Sequence, residues 1–155
     1  MEPIVKQLHR RLLQNKKTVA VAESCTGGLL SSLLTGSPGS SGFFLLGIVA
    51  YSNKAKEKLL RIPSRLIKAK GAVSPEVACA MAASVKKIAA ADFGIGITGI
   101  AGPTGASRSK PVGTVFIATA SHNRLACARM KFTGTRNAVR KKSALHALRL
   151  LKDLV

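Results

Sequence analysis

The stretch Val19-Ala20-Val21-Ala22-Glu23-Ser24-Cys25-Thr26-Gly27-Gly28-Leu29-Leu30 most limits what this chain can fold into. A short apolar run, β-branched at Val19 and Val21, ends abruptly in small polar residues and two glycines. Beyond them Leu29, Leu30, Leu33 and Leu34 recur at helical spacing. A strand turning tightly into a helix leaves backbone N–H groups without intrahelical partners, an environment suited to an anion or oxyanion. Ser24 stands at that turn, as a helix cap or as a nucleophile.

The remaining chain alternates between helix and strand patterns. Residues 4 to 14 place Ile4, Val5, Leu8, Leu12 and Leu13 on one helical face, with Pro3 near the first turn. The first strand is expected at about 18 to 22 and its helix to about 34. A Gly/Ser/Pro-rich loop over 35 to 42 then leads to a buried strand over 43 to 51. Short helices follow to Leu60 and around 64 to 69, the second stopping at Gly71. Ser74-Pro75-Glu76 opens a helix to about 90, with Val77, Met81, Val85 and Ile88 inward. Strands are expected at about 93 to 98, 112 to 120 and 125 to 132. A last helix over 136 to 151 has Val139, Leu145, Leu148 and Leu151 on its apolar face. Five strands with interspersed helices and one late hairpin predict an α/β fold: a three-layer α/β/α sandwich on a mixed sheet. At 155 residues, without a linker or repeat, the chain reads as one domain over 1–155.

Composition narrows the function classes. No apolar run is long enough to span a bilayer; the longest, Phe43 to Tyr51, is strand-sized. The amino-terminal stretch reads as an amphipathic helix and not a signal peptide. Cys25, Cys79 and Cys127 are widely spaced and odd in number, which predicts a reducing, cytoplasmic setting without a disulfide framework. His9, His122 and His146 show no metal spacing, so no metal is expected. The net charge of +19 favours polyanions, yet the cations are spread from Lys6 to Lys152, and one Tyr with no Trp supplies few stacking platforms. Nucleic acid is therefore expected to bind only non-specifically, and a basic surface serving anionic small substrates is the better reading.

Three segments could carry chemistry. At the first, Thr26 could cap the helix as well as Ser24, and Gly27-Gly28 allows close backbone approach by a ligand. Cys25 is the rival nucleophile, intrinsically more reactive, but no His lies nearby in sequence to activate it. A nucleophilic serine needs a base, and without a His the remaining option is a lysine kept neutral. Tyr51-Ser52-Asn53-Lys54-Ala55-Lys56 offers one. If Ser52 or Asn53 caps a helix, Lys56 falls in its first turn, where the macrodipole and burial both lower a lysine's pKa. Lys56 is then a general base or an ordinary solvated lysine. The third segment is the loop after Thr98. Gly94-Ile95-Gly96-Ile97-Thr98-Gly99 matches a dinucleotide fingerprint but lies inside a strand and precedes a polar loop, so no dinucleotide cofactor follows from it.

Together, Ala22-Glu23-Ser24-Cys25-Thr26-Gly27-Gly28, Tyr51-Ser52-Asn53 with Lys56, Gly71-Ala72-Val73-Ser74, Gly99-Ile100-Ala101-Gly102-Pro103 and Lys110-Pro111-Val112-Gly113-Thr114-Val115 resemble the CinA C-terminal domain family in family order. Its characterised members are nicotinamide mononucleotide amidohydrolases of the PncC type. The resemblance implies a three-layer sandwich on a five-stranded mixed sheet. It also implies hydrolysis of the carboxamide of nicotinamide mononucleotide to nicotinate mononucleotide and ammonia, without metal or cofactor, in pyridine-nucleotide salvage. Ser24 would be the nucleophile and Lys56 its base, with Tyr51 assisting. Backbone N–H groups near Thr26 and Gly27 would hold the oxyanion, and Gly28 would join the substrate site. Asn53, Thr98, Gly99, Ala101 and Gly102 would line the substrate site. Charge reasoning adds Lys110, Arg136 and Arg140 for the 5′-phosphate, and a homo-oligomer is expected.

There are departures. Long members carry an additional amino-terminal molybdopterin-binding-like domain that this sequence lacks, so its activity is not expected here. Thr104 and Arg108-Ser109 stand where acidic residues (or, at 104, glycine) are common, adding to the basicity. The rival readings are a non-catalytic pyridine-nucleotide-binding module and a competence-associated protein with nucleic-acid affinity.

Overall fold

A computed structural model describes residues 3–155. Met1 and Glu2, part of the amino-terminal reading, lie outside the described residues. In chain order the elements are α1 (Pro3–Gln14), β1 (Val19–Glu23), α2 (Leu29–Thr35), a 3₁₀ turn at Ser40–Gly42, β2 (Phe44–Val49), α3 (Asn53–Leu60) and α4 (Ser64–Lys70). They continue with α5 (Pro75–Ala89), β3 (Phe93–Gly99), β4 (Thr114–Ala120), β5 (Leu125–Lys131) and α6 (Arg136–Lys152). The sheet order is β2-β1-β3-β4-β5. β1 pairs parallel to both β2 and β3, and β3–β4 and β4–β5 are antiparallel. This is the expected mixed sheet between two helical layers.

The strand period of two decides what each layer packs against. Val19, Val21, Ile95, Ile97, Val115 and Ile117 point into a core shared with α1, α2 and α6. The intervening positions Ala20, Ala22, Gly94, Gly96, Ala118 and Ala120 are small and face α5. Small residues let α5 sit almost on the sheet backbone. A Cβ on Gly96 would lie 2.3 Å from the Ala78 carbonyl oxygen, and one on Gly94 would lie 2.1 Å from that of Ala82. The glycines of the apparent dinucleotide fingerprint are thus packing glycines in β3.

Caps set the helix ends. Ser52 and Ser74 accept hydrogen bonds from the Ala55 and Val77 N–H groups, as expected, and Thr135 does the same for Ala138. Gly71 ends α4 at φ 81°. Three burial expectations are corrected. Leu13 and Ile88 are exposed, because the stripes Val5-Leu8-Leu12 and Val77-Met81-Val85 already fill the interior. Leu145 is only partly buried, since small Ser143, Ala144 and Ala147 let α6 approach closely. β2 is not a buried strand: it is a sheet edge whose residues alternate between half-buried and exposed.

Gly96→Ala is expected to push α5 off the sheet and destabilise the fold by about 2–4 kcal/mol. Urea unfolding checks this against Gly39→Ala, whose added Cβ meets nothing within 4 Å and which carries only the backbone strain of its φ of 85°, about 1–2 kcal/mol.

Candidate active site

The site forms at the carboxyl ends of the three parallel strands, with β1 in the middle. The pairing outlasts β1 itself: Ser24 N–H donates to the Ile97 carbonyl at 2.9 Å, and Ala50 N–H donates to that of Glu23 at 2.8 Å. Glu23 and Ser24 therefore leave the sheet as consecutive extended residues facing opposite ways. Glu23 turns toward α2 and Ser24 toward α3.

Glu23 is fully buried. One carboxylate oxygen accepts the Gly28 and Leu30 N–H groups, both at 3.1 Å, and the other accepts the Ser31 N–H at 2.8 Å and its hydroxyl at 2.7 Å. The Gly27 N–H donates to the Ser24 carbonyl at 3.1 Å. The positive end of α2 is thus filled by the chain's own carboxylate, so the Gly28 amide, expected at the substrate site, is taken by Glu23, and the Gly27 amide, expected to hold an oxyanion, is taken by the Ser24 carbonyl. Neither Ser24 nor Thr26 caps α2; the cap position is Gly28, in the left-handed conformation. The Thr26 hydroxyl is buried without a hydrogen-bond partner. Glu23 was not singled out in the sequence because it stands five residues before the cap, outside any local capping pattern.

Released from capping, the Ser24 hydroxyl meets a lysine. Lys56 is 1% exposed, and its Nζ donates to Ser24 Oγ at 3.0 Å, to the Ala50 carbonyl at 2.9 Å and to the Tyr51 carbonyl at 3.3 Å. Burial lowers its pKa from the ordinary lysine value. In the neutral amine two N–H bonds still serve the two carbonyls, leaving the lone pair toward the serine hydroxyl. That is the arrangement of a general base on a nucleophile. Cys25, the rival, is buried, and its thiol is pushed up to about 12, mainly by desolvation, so it stays protonated and unreactive.

Around this pair lies a cavity of about 320 Å³, lined by Ser24, Cys25, Tyr51, Asn53, Lys56, Ala72, Val73, the stretch Thr98 to Gly102, Thr104, Gly105 and Arg136. Thr98 Oγ1 donates to the Ala72 carbonyl at 2.8 Å, tying the 71–74 loop to the end of β3. Arg136, at the start of α6, donates to the Gly102 carbonyl and to the Tyr51 hydroxyl, each at 2.8 Å. The Tyr51 phenol thus serves Arg136, and only its carbonyl reaches Lys56, which corrects its assignment beside the base.

Thr26, Gly27, Gly28, Lys110 and Arg140 do not line the cavity. Arg140 is spent on the Thr26 carbonyl, at 2.8 and 3.2 Å, and Lys110 reaches the Lys70 carbonyl at 3.4 Å. Ala72, Val73, Ile100, Thr104 and Gly105 were not among the expected site residues; Gly105, at φ 87°, needs the conformation glycine gives. A larger cleft of about 590 Å³ lies by Lys86, Lys87 and His122. Its serine, Ser121, is hydrogen-bonded to the Arg124 carbonyl and not to a base.

A family model, CinA C-terminal domain, matches residues 1–155. The chain belongs to the CinA family. It is 47% identical over 152 residues to a CinA-like protein of Thermotoga maritima, covering 98% of this chain and 36% of that protein. With a CinA-like protein of Anaeromyxobacter it shares 48% over 142 residues, covering 92% and 35%. The chain therefore spans about a third of the length of these curated relatives. Among solved structures it resembles a competence-damaged protein (CinA) superfamily protein from Escherichia coli, with a TM-score of 0.94 at 34% identity over 99% of this chain and 90% of that one. A competence/damage inducible protein, CihA, from Agrobacterium tumefaciens gives 0.92 at 35%, covering 99% and 97%. The chain is a CinA-type protein with the CinA fold. No helix among the described residues is long and apolar enough to cross a membrane.

The buried amine makes a signed prediction for stability. Below the ordinary lysine pKa of 10.5 the unfolded chain binds a proton that the fold disfavours at Lys56. Wild-type stability relative to Lys56→Met should therefore rise with pH between the depressed value and 10.5, by at most about 1.4 kcal/mol per unit. Urea unfolding of both proteins across that range reads the difference, and a flat difference would show no shifted amine.

Proposed function

We propose that this protein is an amidohydrolase that converts nicotinamide mononucleotide to nicotinate mononucleotide and ammonia through a Ser24–Lys56 pair. The observation that carries the reading is the desolvated Lys56 amine 3.0 Å from the Ser24 hydroxyl at the wall of a cavity. Ser24 Oγ attacks the carboxamide carbon as Lys56 takes its proton. The tetrahedral intermediate collapses, and the amide nitrogen leaves as ammonia with the proton returned from Lys56. Water, activated by the same amine, then releases the acyl group as the carboxylate. Main chain around Ser24, outside the first turn of α2 that Glu23 occupies, is left to meet the oxyanion.

Arg136 is the cation that lines the cavity besides Lys56, and it is held in place from two sides. We assign it the 5′-phosphate, which Lys110 and Arg140 would share in the charge-based expectation. A volume of about 320 Å³ lies at the small end of ligand sites, in keeping with a mononucleotide. The product would feed pyridine-nucleotide salvage, in a cytoplasmic setting.

Ser24→Ala and Lys56→Ala are each expected to lower ammonia release from nicotinamide mononucleotide by about 10³-fold or more, while the mononucleotide still binds. A coupled ammonia assay with isothermal titration separates the two quantities. Binding without release in the wild type would instead make the protein a pyridine-nucleotide-binding module. Arg136→Ala is expected to raise KM for the mononucleotide about 10- to 100-fold with a smaller effect on kcat. Turnover of the riboside, which has no phosphate, should be little changed.

A further inference from the structure

The last turn of α5 and the connection between β4 and β5 enclose the cleft of about 590 Å³. Ala120, on its lining, pairs with Gly94 at the start of β3, whereas the Ser24 cavity lies at the far end of that strand. The two hollows share no lining residue. Lys86 and Lys87 reach the cleft from α5, and His122 and Arg124 reach it from the turn. The Ser121 N–H donates to the Arg124 carbonyl at 2.8 Å and closes that turn. No acidic residue lines the cleft, and none of these four basic side chains has a hydrogen-bond or ion-pair partner among the described residues. Asp92, next to Ala91 of the lining, is engaged by Lys17 and Thr18. Asp153 borders a smaller hollow with Arg124, but the two form no salt bridge. Lysines in a last turn ordinarily offset the negative end of a helix. Here the Ala90 and Ala91 N–H groups already meet the Lys87 and Lys86 carbonyls, at 3.2 and 3.0 Å. His122 and Arg124 belong to another element, so the end of α5 does not account for them.

We propose that this cleft binds a ligand carrying two or more linked phosphate groups, at a site separate from the Ser24 cavity. Like charges gathered in one hollow without an acid repel one another, and a bound anion removes that cost. A lone carboxylate or phosphate is met by one or two cationic side chains. Cations arriving from two elements around a hollow of this size match a chain of phosphates instead. The volume lies within the range of small-molecule sites and exceeds what one phosphate fills. Ala90, Ala91 and Ala120 add small apolar surface on which a group attached to the phosphates can rest. Binding here is independent of the reaction assigned to Ser24 and Lys56, since neither residue lines the cleft.

The test is isothermal titration with inorganic pyrophosphate and with ADP. Sodium chloride at about 0.15 M suppresses diffuse attraction to a chain of net charge +19. One equivalent is expected to bind. Lys87→Ala and Arg124→Ala should each weaken it at least about 5-fold. Lys68→Ala, a cation of α4 outside the cleft, and Arg136→Ala, at the Ser24 cavity, should leave the affinity unchanged. ADP bound no tighter than pyrophosphate points to a free phosphate chain and tighter ADP to a nucleotide; either supports the site. No binding, uptake of several equivalents, or a loss in Lys68→Ala or Arg136→Ala equal to that in the cleft variants overturns the proposal. Should the cleft variants fail to fold, amide chemical shifts of the wild type decide. Changes on adding pyrophosphate that are confined to residues 83–91 and 120–125 support the site. Changes spread over the cationic surface, or centred on residues 24–27 and 98–102, reject it.

Discussion

A lysine amine held out of water is the constraint on which the site depends. Burying a cation carries an energetic cost of several kcal/mol unless its N–H groups are met, and the cost falls when the group gives up its proton. Lys56 is met by three oxygens, two of them carbonyls at the end of β2 and one the Ser24 hydroxyl. Those carbonyls are in place because the chain leaves β2 at Ala50 and enters α3 at Asn53, behind the Ser52 cap. Lys56 then falls in the fourth residue of α3, where the positive end of the helix adds to the pressure toward neutrality. The fold itself thus holds the Lys56 amine below the ordinary lysine value, chiefly by burial.

The Ser24 hydroxyl is placed by a second constraint, the alternation of a strand. Because β1 stays extended through Ser24, a carboxylate and a hydroxyl adjacent in sequence go to opposite faces of the sheet. The carboxylate neutralises the start of α2, and the hydroxyl is left for chemistry. A shift of one residue would exchange them, burying the serine against α2 and setting a negative charge beside Lys56. The pairing of Ser24 N–H with Ile97 and of Ala50 N–H with Glu23 holds this register from both sides.

Charge is distributed with similar economy. The chain has six acidic residues against twenty-five basic ones. Glu23 serves α2, Asp92 receives Thr18 and Lys17, and Glu76 pairs with Lys70. Few acids remain to offset the surface cations, which leaves a positive field around the molecule.

Much was legible in the sequence because it depended on local chemistry. Strand and helix periods, the Ser52 and Ser74 caps, the stop at Gly71 and the glycines buried in β3 were all readable from neighbouring residues. So was the strand–turn–serine arrangement, and the family motifs named Lys56 as its candidate partner. What the sequence left open was which groups are already occupied. Gly27, Gly28 and Arg140 looked available to a ligand, yet Gly28 is bonded to Glu23, and Gly27 and Arg140 to the main chain at Ser24 and Thr26. Leu13 and Ile88 matched the apolar period but fell outside the layers that cover the sheet. By itself, then, the sequence determined the elements, their order and the chemical types at the turn. Only the tertiary structure decided that Lys56 loses its water, that Ser24 is free and that Arg136 faces the cavity, because desolvation and hydrogen-bond saturation depend on residues far apart in the chain.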